Sequence, residues 1–269
     1  MLVKLLNFLY LFIFARKFFY KFNVILFKII IKSLGYNNYG SYKITGEENF
    51  VKLLNKFQPK LALDIGANIG NYSKILLEYT KTDVIAFEPN KFSFNILKKL
   101  KLKYKNRFDC FNLAVSNKSK KDYLFYGTKT SELASINKDT NKLKFIAGKN
   151  VNKMQIKLIT LDTFYLKNKK LFKSLEFIKI DTEGHELEVL KGSKKLLKIL
   201  KPKFIQIEFN SHQLLKSVTL QQYKKFLKNY NIFRLLPFGD NLLPINEIRP
   251  ENNIFHLCNL VFVRKDLNF

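Results

Sequence analysis

The sequence predicts an α/β fold in which helices cover both faces of a mostly parallel sheet. Beyond Thr45, short apolar runs typical of strands alternate with longer stretches that have helical spacing. The first strand ends in a glycine turn, Asp64 to Gly70, which leads directly into a helix. The chain has 269 residues, a length that suits one such domain with a short N-terminal extension.

The first half of the sheet is predicted from two strand and helix pairs and a further strand. Strand 60–65 precedes a helix at 71–79, and strand 83–88 precedes a helix at 91–102. A third strand follows at 108–115. Because each helix separates two strands, the strands are expected to run parallel to one another.

The second half follows a polar segment, 116–157, which we expect to be an irregular or hairpin insertion beside the site. The alternation then resumes with strand 177–181, a helix at 185–200 and a fifth strand at 204–209. The remaining predicted elements are a helix at 220–230 and an antiparallel pair of strands at 232–236 and 259–264. Together these elements predict a seven-stranded, mostly parallel sheet with a terminal antiparallel strand.

Residues 1–45 form a separate N-terminal extension with helical character, and residues 46–269 form the α/β domain. The extension has two apolar runs, Leu5 to Ala15 and Val24 to Ile31, and neither reaches the roughly 20 residues needed to cross a bilayer. Glu47 is the first acidic residue of the chain, and every charged residue before it is basic. Two interpretations remain open: the extension lies on an anionic cytoplasmic membrane surface, or its helices pack on the domain or on a partner chain.

The formal charge of +27 is the most unusual bulk property of the chain. Such a charge is compatible with binding to nucleic acid or to an anionic membrane. However, the lysines are dispersed along the chain, and the abundance of Phe, Lys, Ile and Asn is typical of an AT-rich coding genome. Solvated lysine-rich faces therefore explain the charge better than a dedicated nucleic-acid surface does, and nucleic acid is an unfavoured partner.

The cysteines and histidines do not form a recognisable metal-binding pattern. Cys110 and Cys258 are far apart and are expected to be buried, reduced thiols. The three histidines, His185, His212 and His256, are too scattered for the ligand spacing of a zinc site. We therefore expect no metal and a reducing, cytoplasmic compartment.

The glycine turn indicates a nucleotide-like ligand, although not a dinucleotide. The dinucleotide fingerprint needs glycines at positions 68 and 71, where this chain has Asn68 and Asn71. A P-loop is also excluded, because no Gly-Lys-Ser/Thr follows the turn. Glu88, at the end of the second strand, lies 24 residues after Asp64 and is suited to accept hydrogen bonds from ribose hydroxyls.

Several segments together resemble the FkbM-type methyltransferases: LALDIGANIGNYS, AFEPN, NLAVSN, ITLDTF, FIKIDTEGHELEVLKGS and PKFIQIEFN. They stand in the family's order over residues 58–210, with Thr182 where the family often has valine. The resemblance implies a Rossmann-like class I methyltransferase fold and S-adenosylmethionine as the cofactor. It also implies transfer of a methyl group to an oxygen, often on a sugar, glycan or related metabolite.

On this basis we assign candidate cofactor contacts at the carboxyl ends of the first three strands. Gly66 and Gly70 should let the backbone pass beside the methionine part of the donor, and Asp64 should orient the turn or the donor's amino-acid end. Asn68 is expected to bind the donor carboxylate and Glu88 its ribose. The full set of candidates is Asp64, Gly66, Asn68, Gly70, Glu88, Asn90, Ala114 and Ser116. For Ala114 and Ser116, ordinary strand-end packing is an equal alternative.

The candidate catalytic residues are Asp181, Glu183 and His185, which follow the fourth strand. A histidine there can act as a general base, with Glu183 orienting it or contacting the acceptor hydroxyl. The alternative is that the two carboxylates cap the following helix and that His185 belongs to its first turn. Glu208, near the end of the fifth strand, is a further candidate for binding the acceptor.

Two other functions compete with an O-methyltransferase. An RNA methyltransferase would use the same fold, but the proline-containing segment typical of base-amino methylation is absent after the fourth strand, where Asp181, Thr182 and Glu183 stand. A non-catalytic, membrane-associated binding protein would keep the fold without the chemistry. The retained acidic and glycine positions argue against this second alternative.

Overall fold

A computed structural model of the chain describes residues 2–130, 133–139, 152–240 and 242–267. The strands are β1 Leu61–Ile65, β2 Asp83–Phe87, β3 Phe108–Phe111, β4 Ala114–Val115, β5 Lys120–Tyr126, β6 Asn152–Ile159, β7 Phe177–Ile180, β8 Phe204–Phe209, β9 Tyr230–Leu235, β10 Leu242–Pro244 and β11 Cys258–Arg264. The α-helices are α1 Leu2–Phe14, α2 Tyr20–Ser33, α3 Glu47–Lys56, α4 Asn71–Tyr79, α5 Lys91–Leu97, α6 Leu100–Tyr104, α7 Leu161–Lys167, α8 Glu186–Lys191, α9 Lys194–Leu200 and α10 Leu220–Phe226.

The main sheet has the strand order β10-β9-β11-β8-β7-β1-β2-β3. Strands β8, β7, β1, β2 and β3 pair in parallel, whereas β11 is antiparallel to both of its neighbours. The predicted α/β class, with a mostly parallel sheet and an antiparallel last strand, is therefore confirmed. The last strand enters between β8 and β9, and the short β10 adds an unpredicted eighth strand at the edge. Only three residues of β10 pair, and Pro244 ends it, so its sequence signal is weak.

Three predicted elements are divided in the structure. The strand predicted at 108–115 is split into β3 and β4, which belong to different sheets. The helices predicted at 91–102 and 185–200 are each interrupted. In the helix predicted at 185–200, Gly192 lies so close to the segment around Ser116 that a Cβ on it would stand 2.0 Å from the Ser116 carbonyl oxygen. Close packing between segments therefore ends the helix earlier than its apolar spacing predicts.

The described part of the polar insertion contains regular structure. β5 and β6 form an antiparallel pair, and β4 joins β6 in a small three-stranded sheet. Residues 131–132 and 140–151 of the predicted insertion lie outside the described part of the chain. The hairpin interpretation is thus supported for 120–126 and 152–159, and the small sheet lies beside the strand ends that carry the candidate site.

The central strands are buried on both faces, which explains their continuous apolar sequences. Alternate residues of β1 point into two clusters: Leu63 and Ile65 belong to one, and Ala62 belongs to the other. Helices cover both sides, so the strands are held rigidly and their carboxyl ends line up at one edge. That edge carries the candidate site.

The N-terminal extension is tied to the α/β domain from the second half of α2 onward, where Ile31 is buried in the core and the Phe27 ring lies 6.1 Å from the His256 ring. Tyr36 is buried, and its hydroxyl donates to the Glu251 carbonyl oxygen at 2.7 Å. The Asn37 N–H donates to the Leu257 carbonyl oxygen at 2.7 Å. By contrast, α1 has no buried residue. Among the described residues, no helix has both the length and the apolar character required to cross a membrane.

The two thiols differ in their surroundings. Cys258 is buried in β11, as predicted, whereas Cys110 is only half-buried in β3. Neither is in a disulfide. Burial raises the pKa of Cys258 to about 12 and that of Cys110 to about 11, so both stay protonated and unreactive near neutral pH.

Candidate active site

The glycine turn after β1 packs directly against the end of β7. Gly66 has a φ of +86°, and a Cβ on it would stand 1.7 Å from the Asp181 carbonyl oxygen. The N–H groups of Gly66 and Ala67 both donate to the Phe87 carbonyl oxygen at 3.0 Å. Glycine is therefore required at this position, because only a residue without a side chain lets the ends of three strands meet. Gly70 has a φ of +91° and forms the N-cap of α4.

Glu88 is held at the end of β2 by backbone donors from both sides. Its two carboxylate oxygens accept from the N–H of Asn68 at 2.8 Å and from the N–H of Asn90 at 2.7 Å. Burial raises the pKa of Glu88 to about 7, although these two hydrogen bonds act in the opposite direction. Each oxygen keeps a further lone pair, so the side chain can still accept hydrogen bonds from a ligand.

A narrow cavity beside Glu88 has the character of a nucleoside site. Apolar side chains from two sheets line its walls: Phe87, Leu113, Ala114, Val115, Leu124, Ala134 and Ile136. Gly66, Asn68, Glu88 and Asp181 supply its polar edge. A slot of this kind suits a flat base, with Glu88 placed to accept hydrogen bonds from the attached sugar.

Two of the predicted cofactor residues have other contacts. The Asn90 side chain accepts from the Phe92 N–H at 3.0 Å, which makes it the N-cap of α5, and it also donates to the Lys129 carbonyl oxygen. Ser116 does not line the nucleoside cavity, and its hydroxyl lies 2.8 Å from Nε2 of His185. The structure therefore favours the packing interpretation for Ser116 and places Ala114 at the cavity wall.

Asp64 supplies an unpaired acceptor in a larger cleft, which shares Gly66, Asn68, Asp181 and Glu183 with this cavity. One of its oxygens accepts from the Ser73 hydroxyl at 2.6 Å, whereas Oδ1 is buried without a partner in the described part of the chain. Asn68 Oδ1 is buried and unpaired in the same way. Both residues line the larger cleft. These orphaned oxygens fit the ammonium group of an amino acid, which would satisfy them.

The larger cleft has a volume of about 820 Å³, within the range of roughly 300–1,000 Å³ that is usual for small-molecule sites. The end of the N-terminal extension forms one wall through Asn38, Tyr39 and Tyr42. The strand ends form the opposite wall with Asp181 and Glu208. The cleft therefore contains the donor residues Asp64 and Asn68 and also has room for an acceptor.

Three carboxylates converge in this cleft. Atoms of Asp181, Glu183 and Glu208 lie within 4.8 Å of one another, and Lys179 Nζ lies 2.6 Å from the Asp181 carboxylate. Burial first, and then repulsion from Asp181 and Glu183, raises the pKa of Glu208 well above its usual range. Among the residues described, this is the group of acidic side chains whose spacing suits a cation, but carboxylate spacing alone does not indicate a metal.

His212 completes this cluster, and the sequence analysis did not identify it. Its Nδ1 lies 2.7 Å from Oε2 of Glu183, within ion-pair distance although the two groups are not aligned as a hydrogen bond, and the side chain is buried. Burial alone would lower the pKa of His212, but the contact with Glu183 outweighs it and raises the pKa. Gly184 makes the approach possible, because a Cβ there would stand 2.7 Å from that of His212. Only the position of His212, shortly after a strand that ends at the site, was a signal of this role.

His185 lies away from both cavities, contrary to its predicted place beside the methyl group. Its Nε2 is 2.8 Å from the Ser116 hydroxyl, and its Nδ1 is 3.0 Å from Lys216 Nζ. Burial, followed by the positive charge of Lys216, lowers the pKa of His185 to about 4. A buried imidazole that is engaged at both nitrogens is not placed to take a proton from an acceptor.

Asp181 and Glu183 do not cap the helix that follows β7, which was the alternative to a catalytic role. Oε1 of Glu186 accepts from the N–H groups of Thr182 and Gly184 at 2.9 and 3.0 Å. Both N–H groups lie before α8, whose N-cap residue is His185, and no side chain caps that end of the helix. The two preceding carboxylates remain directed to the cleft, where they line the wall.

The strand order and the antiparallel insertion of β11, together with a glycine turn and an acidic residue ending β2, define a class I S-adenosylmethionine-dependent methyltransferase. The chain belongs to the FkbM methyltransferase family: the model of the methyltransferase FkbM domain matches residues 64–231, more than half of the chain. No protein of curated function matches the sequence significantly.

Solved structures with a similar backbone are methyltransferases of low sequence identity. An O-methyltransferase from Bacillus cereus in complex with S-adenosylhomocysteine is 11% identical, with 88% of each chain covered and a TM-score of 0.45. A proposed O-methyltransferase from Klebsiella pneumoniae is 10% identical, with 89% of this chain and 90% of that chain covered and a TM-score of 0.44. A proposed RNA methyltransferase from Pyrococcus horikoshii is 11% identical, with 85% and 86% covered and a TM-score of 0.42. Values this low carry no information about the acceptor.

Proposed function

We propose that the chain methylates a hydroxyl group of a sugar, glycan or related metabolite. The observation that carries this proposal is the pairing of His212 with Glu183 inside the cleft that the donor residues share. An acceptor hydroxyl must lose its proton as it is methylated, and an imidazole held by a carboxylate is a suitable general base. Glu183 therefore keeps its predicted role as an orienting residue, while His212 replaces His185 as the base.

The remaining residues hold the two reactants in place. S-adenosylmethionine supplies an electrophilic methyl group when it is bound. The unpaired oxygen of Asp64 would hold the donor ammonium group, and Glu88 would accept from the ribose hydroxyls. Asp181 and Glu208 line the acceptor side and can accept hydrogen bonds from other hydroxyls of a sugar. Such positioning brings the acceptor oxygen in line with the methyl group.

The charge of the cleft argues against the nucleic-acid alternative. Although the whole chain is strongly basic, the described residues that line the cleft include the acidic side chains of Glu47, Asp64, Asp181, Glu183 and Glu208 and one lysine, Lys179. That lysine already lies 2.6 Å from Asp181. A phosphate backbone entering this cleft would find no unpaired lysine among the described lining residues, whereas a neutral sugar would meet carboxyl groups that can form hydrogen bonds.

The test is to incubate the protein with donor labelled in its methyl group and with cell extract separated into glycan, lipid and nucleic-acid fractions. We expect label in a hydroxyl-containing glycan or glycolipid, and a His212→Asn variant should bind the donor normally in calorimetry but transfer far more slowly. Glu183→Gln should also slow transfer, because it removes the carboxylate beside His212, and Glu247→Gln at an exposed position is its matched control. Label found only in RNA would refute the proposal.

We also propose that the protein works in the cytoplasm, at the inner face of the membrane. The reduced thiols Cys110 and Cys258 are compatible with that compartment, and the basic, apolar extension suits the anionic lipids of that leaflet.

A further inference from the structure

Helices α1 and α2 present an unusually large apolar surface to solvent. All residues from Leu2 to Ile13 are exposed, and Phe18, in the turn between the helices, is 87% exposed. The exposed apolar side chains of this segment include Leu2, Val3, Leu5, Leu6, Phe8, Leu11, Phe12, Ile13, Tyr20, Phe22, Ile25, Phe27, Ile29 and Ile30. Contiguous apolar patches of this extent mark an interaction surface. We call residues 2–34 the N-terminal hairpin.

The hairpin is a defined structure and not a loose tail. Tyr10 donates to the Asn23 side chain at 2.7 Å, and Asn23 donates in turn to the Phe14 carbonyl oxygen at 2.9 Å. Phe14 also packs on Phe19 and Phe22, with ring centroids 5.0 and 5.6 Å apart. These contacts hold the end of α1 against the beginning of α2.

The charge of the hairpin indicates which partner covers this surface. Its charged side chains are all basic: Lys4, Arg16, Lys17, Lys21, Lys28 and Lys32. Two copies packed face to face would bring these cations together without a counter-charge. An anionic bilayer instead accepts apolar side chains at the depth of the acyl chains and basic side chains at the level of the phosphates. The membrane surface is therefore the partner of matching chemistry.

The hairpin is also connected to the rim of the acceptor cleft. The ring of Phe27, in α2, lies 6.1 Å from the ring of His256, and the Asn37 side chain lies 2.8 Å from His256 Nδ1. Both His256 and Asn37 line the cleft. Tyr39 and Leu214, which also line it, are exposed apolar side chains at the same opening. The apolar surface of the hairpin thus continues to the mouth of the cleft.

We propose that the N-terminal hairpin binds the surface of an anionic bilayer and holds the mouth of the acceptor cleft against it, so that the acceptor is a hydroxyl on a membrane-bound, lipid-linked molecule. The statement about the acceptor rests on the proposed function, whereas the statement about membrane binding does not. A lipid-linked sugar fits this arrangement, because its polar part can enter the cleft while its lipid stays in the bilayer.

The first test measures flotation of the full chain with vesicles. We expect strong binding to phosphatidylcholine vesicles that contain phosphatidylglycerol, and binding to phosphatidylcholine alone that is weaker by roughly tenfold or more. Lys17→Glu with Lys21→Glu, or Phe12→Ser with Phe18→Ser, should each reduce binding by a similar factor. The double change Lys169→Glu with Lys170→Glu, on an exposed turn far along the chain, is the matched control and should bind normally. Equal binding of the two charge-reversed proteins would refute membrane docking by the hairpin.

The second test asks whether the cleft faces the bilayer. An environment-sensitive dye is attached to Tyr39→Cys, in a Cys110→Ser background, and the same dye is attached to Leu102→Cys as a control at an exposed site on the opposite edge of the sheet. Anionic vesicles should shift the emission of the first dye to the blue and leave that of the second unchanged. A shift at position 102 without one at position 39 would show the cleft facing away and would refute the proposed orientation.

The acceptor is tested with labelled donor, the intact protein and two substrate pools from the same cells, one of membranes and one of water-soluble metabolites. Label in lipid-linked material, lost in the Lys17→Glu, Lys21→Glu variant, supports the inference. Label only in soluble hydroxyl compounds refutes the membrane-bound acceptor but leaves the proposed function standing. Absence of label from every hydroxyl compound refutes the proposed function, while the flotation result still decides membrane docking.

Discussion

Replacing Gly66 by alanine tests the physical role of the glycine turn most directly. Two separate costs are expected. Alanine at a φ of +86° costs about 1–2 kcal/mol, because its Cβ collides with its own backbone in the left-handed region. In addition, the new Cβ lies 1.7 Å from the Asp181 carbonyl oxygen and has to move away by about 1.3 Å to reach the 3.0 Å that real contacts respect.

The second cost cannot be avoided by a change of rotamer, because both groups belong to the backbone. Displacement of this kind typically costs a further 1–3 kcal/mol, roughly, so the free energy of unfolding should fall by about 2–5 kcal/mol in total. The shift also moves the ends of β1 and β7 apart, where the donor residues meet. A misplacement of about 1 Å can reduce catalysis by roughly a hundredfold, and we expect donor affinity to fall by at least about tenfold.

Gly239→Ala is the matched control, because Gly239 has a φ of +70° and no atom within 4 Å of its Cβ position. It should lose only the cost of the left-handed backbone and keep normal donor affinity. Urea unfolding measures both stabilities, and calorimetry with S-adenosylmethionine measures both affinities. Equal losses of stability in the two variants, with unchanged donor affinity in Gly66→Ala, would show that the turn does not hold the donor.

Three further predictions concern titration, the base and metal dependence. In the donor-free protein, burial raises the pKa of Glu88 from 4.5 to about 7, so the stability present below the lower value is lost as the pH rises to the upper one, by about 3 kcal/mol. Glu88→Gln should remove this contribution to the slope of unfolding free energy against pH in urea unfolding, while the contribution of Glu208 remains. Equal slopes in the wild-type and Glu88→Gln proteins would contradict the assignment. Donor affinity should rise with pH over the same window, since the ionised carboxylate accepts better from ribose hydroxyls. With saturating donor, so that the titration of Glu88 does not limit transfer, His185→Asn should leave the pH profile of transfer intact, whereas His212→Asn should remove its acidic limb. The reverse pattern would restore His185 as the base. Treatment with a chelator should leave transfer unchanged, because His212 and Glu183 can take the proton without a metal, and loss of activity restored by a divalent cation would overturn this expectation.

The strands and the cofactor turn were predictable because their signals are local. Each central strand is a short apolar run, and the residue at its carboxyl end is adjacent in sequence to the turn that follows it. Asp64, Gly66 and Glu88 could therefore be placed at one edge from sequence alone. The structure confirms that edge and adds the unpaired oxygen of Asp64, which no spacing rule reports.

The predictions that differ from the structure involve contacts between residues that are far apart in the sequence. His212 meets Glu183 across two parallel strands, and His185 is drawn away by Ser116 and Lys216, which lie 69 and 31 residues from it. The helix predicted through Gly192 is interrupted because another segment packs against that glycine. None of these contacts leaves a periodic pattern in the sequence.

The sequence by itself determined the α/β class, the order of its elements and the glycine turn, because apolar periodicity and backbone freedom are properties of neighbouring residues. Only the tertiary structure decided which histidine shares the cleft with the carboxylates and that the N-terminal hairpin leads to its mouth. Those outcomes depend on packing between segments that are far apart along the chain, and packing is decided by the whole fold at once.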